Sequence, residues 1–306
     1  METSNQSTGI AIFAFNRPDH LRNLMNSLEL NKNNDIPIYV FLDGYRNSND
    51  RIEILKVKNI ISEFSNLNIV EVYESSRNRG LSSSIRFGID RVLEKHDRVI
   101  VLEDDIVVSS TFFDFMAEAF DKYECNLTIG SITGYRYHTF PSYFHESVVL
   151  GKRHCSWGWG TWKNRWERID WEAEKNTNII GKFSLYWALF FIGTDYFGML
   201  RKYRRGQINS WSILFDVNAA KLNWFCLQPK CNLVINNGMD GTGTNYIFQK
   251  HGRKRKMENF QDMQLPLIPK TCKTYGLLVW LDHLVLKEIA VQKLYKYIKC
   301  LKAAFI

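Results

Sequence analysis

Four short apolar runs, each stopping at polar residues and three of them followed by a stretch with helical spacing, leave the first part of this chain few ways to fold. The run Gly9 to Phe15 breaks at Asn16-Arg17-Pro18, and Leu21, Leu24, Met25 and Leu28 then recur at helix spacing. Ile36 to Leu42 ends at Asp43-Gly44, and apolar residues follow at 52, 55, 60, 61 and 64. Ile69 to Tyr73 leads through the loop Glu74 to Gly80 into a helical stretch, Leu81 to Leu93. The last run, Arg98 to Leu102, stops at Glu103-Asp104-Asp105. Continuous apolar runs of this length read as strands buried on both faces, whereas half-exposed strands would alternate.

Four strands alternating with three helices predict an α/β fold with a Rossmann-like, mostly parallel sheet flanked by helices. Such sheets bind ligands beyond the carboxyl ends of their strands. Three of those ends carry conspicuous polar groups: Arg17, Asp43 and the acidic triplet. From about residue 110 the pattern is less regular, with a helix near Phe112 to Tyr123, a Trp-rich loop, and a helix from Trp211 to Leu222. No repeat or low-complexity linker divides the chain. The expected layout is one domain over residues 1–250 and a basic, helical extension over 251–306.

Composition narrows the partners without choosing among them. The formal net charge of +8 over 306 residues suits an anionic partner: a nucleotide, a membrane surface or nucleic acid. No nucleic-acid-binding motif accompanies the charge, so nucleic acid is not expected. The six cysteines form no CxxC pair, which argues against a zinc cluster or a disulfide framework and fits a reducing cytoplasm. The polar N-terminus lacks a signal-peptide pattern, and no apolar run is long enough to span a bilayer.

A buried strand running into Glu103-Asp104-Asp105 sets three carboxylates at a sheet edge, where desolvation and mutual repulsion are costly without a cation. A hard divalent ion, Mn²⁺ or Mg²⁺, accepts such oxygens and completes its shell with diphosphate and water. A solvated acidic turn is the plainer reading, but the position at the end of the fourth strand favours the metal.

This strand with its acids, preceded by Arg77-Asn-Arg-Gly-Leu-Ser82, resembles the DxD-type signature of GT-A fold glycosyltransferases, especially N-acetylglucosaminyltransferase I and related bacterial polysaccharide enzymes. His154-Cys-Ser-Trp-Gly-Trp-Gly-Thr-Trp-Lys163 resembles the SWGWxTW segment of bacterial members. Pro229 to Thr244, with Asn232-Leu-Val and Gly238-Met-Asp-Gly-Thr-Gly243, resembles their closing motif. The likeness covers about residues 9 to 246.

The resemblance implies a metal-dependent, inverting transfer of sugar from a nucleotide-diphosphate donor, a UDP-sugar, to a glycan or lipid-linked oligosaccharide. It makes Asp105 the metal ligand, turns Glu103 to the ribose and leaves Asp104 in local support. It also sets Arg17 near the diphosphate and Asp43 at the uracil. Arg79 and Gly241 are expected in the nucleotide-sugar site as well. Trp157 and Trp159, spaced by Gly158 and Gly160, either line the sugar pocket or serve as core.

An inverting transfer needs a carboxylate general base. Relatives place an acid near the counterpart of Trp211, where this chain has Ser212-Ile213, so Asp216, one helical turn on, is the expected base, with Asp240 as the other candidate. The Lys-rich tail, with Ala290, Val291, Leu294, Ile298 and Leu301 on one helical face, suits peripheral contact with an anionic membrane at the cytoplasmic face, and equally docking on the domain. A sugar-phosphate nucleotidyltransferase shares the sheet and paired acids, but Ala14 to Pro18 lacks its Gly-rich phosphate loop. A catalytically inactive glycan-binding relative is the other alternative, and the missing acid at Ser212 supports it.

Overall fold

The computed structural model describes residues 6–31, 35–136, 147–172, 192, 195–238 and 265. Gly241, Asp240 and the extension from 251, apart from Leu265, lie outside them.

The alternating first half folds as expected: β1 (Thr8–Ala14), α1 (Pro18–Glu29), β2 (Ile38–Leu42), α2 (Ser48–Glu63), β3 (Ile69–Glu74), α3 (Leu81–Lys95) and β4 (Arg98–Glu103). Pro18 opens α1 at a position where a missing N–H costs nothing. Asn47 caps α2 by accepting from the Asp50 N–H at 2.9 Å, which starts that helix earlier than its apolar spacing indicates. Gly80, at φ 75°, turns the chain into α3. Then come β5 (Ile106–Val108), α4 (Phe112–Tyr123), β6 (Ile129–Thr133), β7 (Val148–Gly151), β8 (Trp159–Trp162), α5 (Lys163–Trp166), α6 (Asp195–Arg204), α7 (Trp211–Lys221), β9 (Phe225–Pro229) and β10 (Val234–Asn236).

Eight strands form one sheet in the order β3-β2-β1-β4-β8-β6-β9-β7, and β5 pairs antiparallel with β10 in a separate ribbon. Strands β1 to β4 are parallel throughout, with Phe13 opposite Glu103. Beyond β4 the directions are mixed: β8 runs antiparallel to both β4 and β6, and β9 parallel to β6. The Trp-rich segment is therefore partly strand rather than loop.

Helices α1, α2 and α4 cover one face of the sheet, around Leu24, Met25, Val57 and Phe120. On the other face α3 and α7 meet around Ile85, Ile89, Trp159, Trp211 and Phe215. Burial of a large apolar side chain contributes about 1.5–3 kcal/mol, so these two layers carry most of the fold's stability. Because β1 and β4 are neighbours while β2 and β3 lie on the far side of β1, their crossovers diverge between β1 and β4. That divergence is the place where open α/β sheets leave a crevice.

Candidate active site at the β1–β4 divergence

Arg17, one residue before the first turn of α1, reaches across this crevice to the end of β4. Its Nη1 donates to Asp105 Oδ2 at 3.0 Å, and its Nη2 donates to Asp104 Oδ1. Asp104 Oδ2 also accepts the Phe15 N–H at 3.4 Å. Both aspartates are buried and Glu103 is half-buried. Burial, and the charges of Asp105 and Asp104, push the Glu103 carboxyl up to about 8. Asp104 is raised by burial against the opposing pull of Arg17.

The cation that three clustered acids call for is thus supplied in part by the chain itself. One guanidinium is paired with two carboxylates, Asp104 and Asp105, so negative charge remains in excess. Among the described residues no group of three or more His, Cys, Asp or Glu side chains is arranged to hold a metal ion. The donor set, hard oxygen with surplus negative charge, fits Mn²⁺ or Mg²⁺.

The sequence pattern does not single out the residues around β10 that close over Asp105. The Asn237 N–H donates to the Asp105 carbonyl at 2.8 Å, and Asn236 Nδ2 approaches Asp105 Oδ1 at 3.4 Å. Asn236 Oδ1 in turn accepts the Gly238 N–H at 2.7 Å. A methyl at Gly238 would fall 2.2 Å from Asp105 Oδ2 and 3.1 Å from Arg17 Nη1, so only glycine permits this approach. The closing motif contains these residues, but nothing in its spacing announces their neighbour.

Asp43 ends β2 and binds backbone. Its Oδ1 accepts the N–H of Gly44 at 2.9 Å and of Arg79 at 2.8 Å, and its Oδ2 accepts that of Gly80 at 2.9 Å. A carboxylate has about four lone-pair sites, which leaves one for a ligand. Asp43 therefore also shapes the 75–80 loop. Arg79 stacks its guanidinium 4.4 Å from the Phe87 ring centroid and donates from Nε to Ser75 Oγ at 3.1 Å. Both residues border a cleft of about 160 Å³ with Phe41, Tyr73 and Phe87.

The tryptophans separate. Strand β8 begins at the same rim as Asp105, because it runs against β4. Trp157, just before it, is half-buried, with its ring 4.5 Å from Tyr135. Trp159 is a correction to the ligand reading: it is fully buried and stacks on Trp211 at 4.9 Å between the sheet and α7. Strand alternation sends it to that face, and Gly160 to the other.

Asp216 is a second correction. It is 5% exposed, and its Oδ1 accepts the backbone N–H of His154 at 3.0 Å. The ring of His154 packs against Trp159, Trp211 and Phe215 on the α3 and α7 face. Helix α7 is buried nearly all round, so one turn beyond Ser212 points inward rather than toward the rim, and Asp216 holds the turn ahead of β8.

The family model of Glycosyl transferase family 2 matches residues 9–205, from β1 to just beyond the end of α6. No curated protein resembles the chain closely enough to count as a match. Among solved structures, S. aureus TarS 1–349 aligns over 73% of this chain at 11% identity, with a TM-score of 0.45. The aligned part is 58% of the TarS structure's own length. The mannosyltransferase PcManGT from Pyrobaculum calidifontis, in complex with GDP-Man and Mn²⁺, aligns over 72% of this chain and 70% of its own at 10% identity and a TM-score of 0.43. Glucosyl-3-phosphoglycerate synthase from Mycobacterium tuberculosis, solved with Mn²⁺, UDP and glucosyl-3-phosphoglycerate, aligns over 43% of this chain and 44% of its own at 10% identity and a TM-score of 0.31.

Proposed function

Because the chain belongs to glycosyl transferase family 2 and is a glycosyltransferase, we propose that it moves a sugar from a nucleotide-diphosphate donor, a UDP-sugar, to a glycan or lipid-linked acceptor with a divalent metal at Asp105. The observation that carries this reading is the meeting of Arg17 with Asp104 and Asp105 in the crevice between β1 and β4. An anionic diphosphate finds a guanidinium there, and a hard cation finds a carboxylate.

Asp105 would hold the metal with one carboxylate, and Asp104 would keep its bond to the Phe15 N–H and so fix the turn. When bound, the ion offsets negative charge on the departing nucleotide. Arg17 binds the same diphosphate once the acids no longer engage it fully. Glu103 faces the ribose, Asp43 offers its remaining lone pair to the base, and Arg79 flanks the nucleoside. Trp157 presents an indole face toward the sugar or acceptor at this rim. Gly241 completes the donor site in the segment after Gly238.

Inversion requires a general base. Asp216 does not fill that role, and Asp240 is the remaining candidate of the two. The net charge of +8 favours an acceptor at an anionic cytoplasmic membrane face.

A donor-hydrolysis screen over UDP-, GDP-, CMP- and dTDP-sugars, with and without Mn²⁺, tests the proposal. Metal-dependent release of UDP is expected, with Asp105→Asn lowering turnover by about three orders of magnitude while the far-UV spectrum stays unchanged. Release of pyrophosphate, or full activity in Asp105→Asn, would overturn it.

A further inference from the structure

The first turn of α2 contains a buried carboxylate that the reading above leaves unused. Asp50 is 4% exposed, and its helix is already capped by Asn47. An acid in a helix's first turn ordinarily serves its own free N–H groups and the helix dipole. Asp50 instead gives both oxygens to other segments. Asn16 Nδ2 donates to its Oδ1 at 2.6 Å, across from the loop after β1. Arg46, in the loop after β2, donates from Nε to Oδ2 at 2.8 Å, from Nη2 to Oδ1 at 3.1 Å and from its backbone N–H to Oδ2 at 3.1 Å. The fork so held places the Arg46 guanidinium 4.8 Å from the centroid of the Phe15 ring.

The two loops tied together are the ones that deliver the donor site. Asn16 lies between Phe15, whose N–H binds Asp104, and Arg17, which binds Asp104 and Asp105. Arg46 lies three residues beyond Asp43, which is fixed to Arg79 and Gly80. Hydrogen bonds from the Arg46 side chain, the largest influence, and those from its backbone and Asn16 hold the Asp50 carboxyl down to about 2. The brace therefore keeps its charge throughout the neutral range.

We propose that Asp50 is a positioning residue for the nucleotide: through Asn16 and Arg46 it sets the gap between the β1 and β2 loops in which the nucleoside diphosphate is held. This rests on the donor reading above. Asp50 touches neither substrate nor metal, so its loss weakens nucleotide binding and leaves the ion's affinity alone.

The test measures UDP binding by calorimetry on the full chain in Mn²⁺ buffer, and Mn²⁺ binding separately. Asp50→Asn keeps the shape and removes the charge. It is expected to weaken UDP about tenfold, the equivalent of one lost charge-assisted hydrogen bond, with Mn²⁺ affinity unchanged. In turnover the loss falls on KM rather than kcat.

Arg46→Met, at a side chain 51% exposed, is expected to act in the same direction, and the double variant to be no weaker than the worse single one. Arg22→Met removes the exposed pair between Arg22 and Glu63 that also links α1 to α2, and is expected to leave UDP binding unchanged. Unchanged UDP affinity in Asp50→Asn and Arg46→Met, additive losses in the double variant, or an equal loss in Arg22→Met would each overturn the brace. A wild-type chain that binds Mn²⁺ but no nucleotide would instead overturn the donor reading, and the brace with it.

Discussion

Both rims of the central sheet hold arginine among carboxylates, and they differ in how the charges add up. Where β4 begins, Arg98 donates to Asp121 and Glu124, while the fully buried Arg165 donates to the carbonyls of Tyr123, Glu124 and Asn126 at the end of α4. Two guanidiniums there face two acids and a set of helix-end carbonyls. Where β4 finishes, Arg17 alone faces Asp104 and Asp105. The balanced rim is scaffold. The unbalanced one holds a charge deficit that only something from outside can fill, and such a deficit is how a binding site differs from a strut built of the same residues.

The boundary between rim and interior gives the largest expected effect. Trp159→Ala empties a site enclosed by Trp211, His154 and Phe215 and should cost about 3–5 kcal/mol in urea unfolding. Trp157→Ala, half-buried, should cost less than about 1 kcal/mol and act on donor or acceptor KM instead. Equal destabilisation by the two would erase the distinction drawn for Trp159.

Next come the arginines. Arg98→Met should lower stability by about 2–3 kcal/mol and leave saturated turnover unaltered. Arg17→Met should reduce turnover about a hundredfold while Mn²⁺ binds several-fold more tightly, since the ion no longer competes with a resident guanidinium. If calorimetry showed weaker Mn²⁺ binding in that variant, the idea of an unbalanced rim would fail.

The smallest effect lies between the rims. Burial pushes His154 down to about 3, from an ordinary value of 6.5. Between those values the unfolded chain binds a proton that the folded chain refuses, so stability falls as pH drops below 6.5. The contribution is about 1.4 kcal/mol per pH unit. His154→Gln should remove that part of the slope in denaturation midpoints measured from pH 7 to 5. An unchanged slope would mean that His154 is protonated in place.

Most of the first half was legible because its signals are local. Helix spacing located α1, α3 and α4 to within a few residues, and a parallel sheet sets the polar strand ends at 17, 43 and 103–105 along one edge. The second half has no such grammar. The strands β6 to β10 are only three to five residues long and pair with partners distant in the chain. Trp159 to Trp162 is interrupted by glycine, so it reads as loop until the register with β4 is known. Asn236 and Gly238 reach Asp105 only because β10 pairs with β5, a tertiary choice that no spacing records. Asp216 misled because helical offset fixes a direction relative to Ser212, not relative to the sheet.

The notch at Gly160 has one more implication. A methyl there would lie 2.7 Å from the Phe120 ring and 2.7 Å from the Val99 carbonyl, while Trp159 just before it and Trp162 two residues on are among the largest buried side chains in the described structure. If β8 slid by a single residue, an indole would be driven into the notch and a hydrogen atom left in the space an indole vacated. The segment works like a key cut for one lock: it seats in one alignment or not at all. That single alignment fixes how far Trp157 stands from the acids.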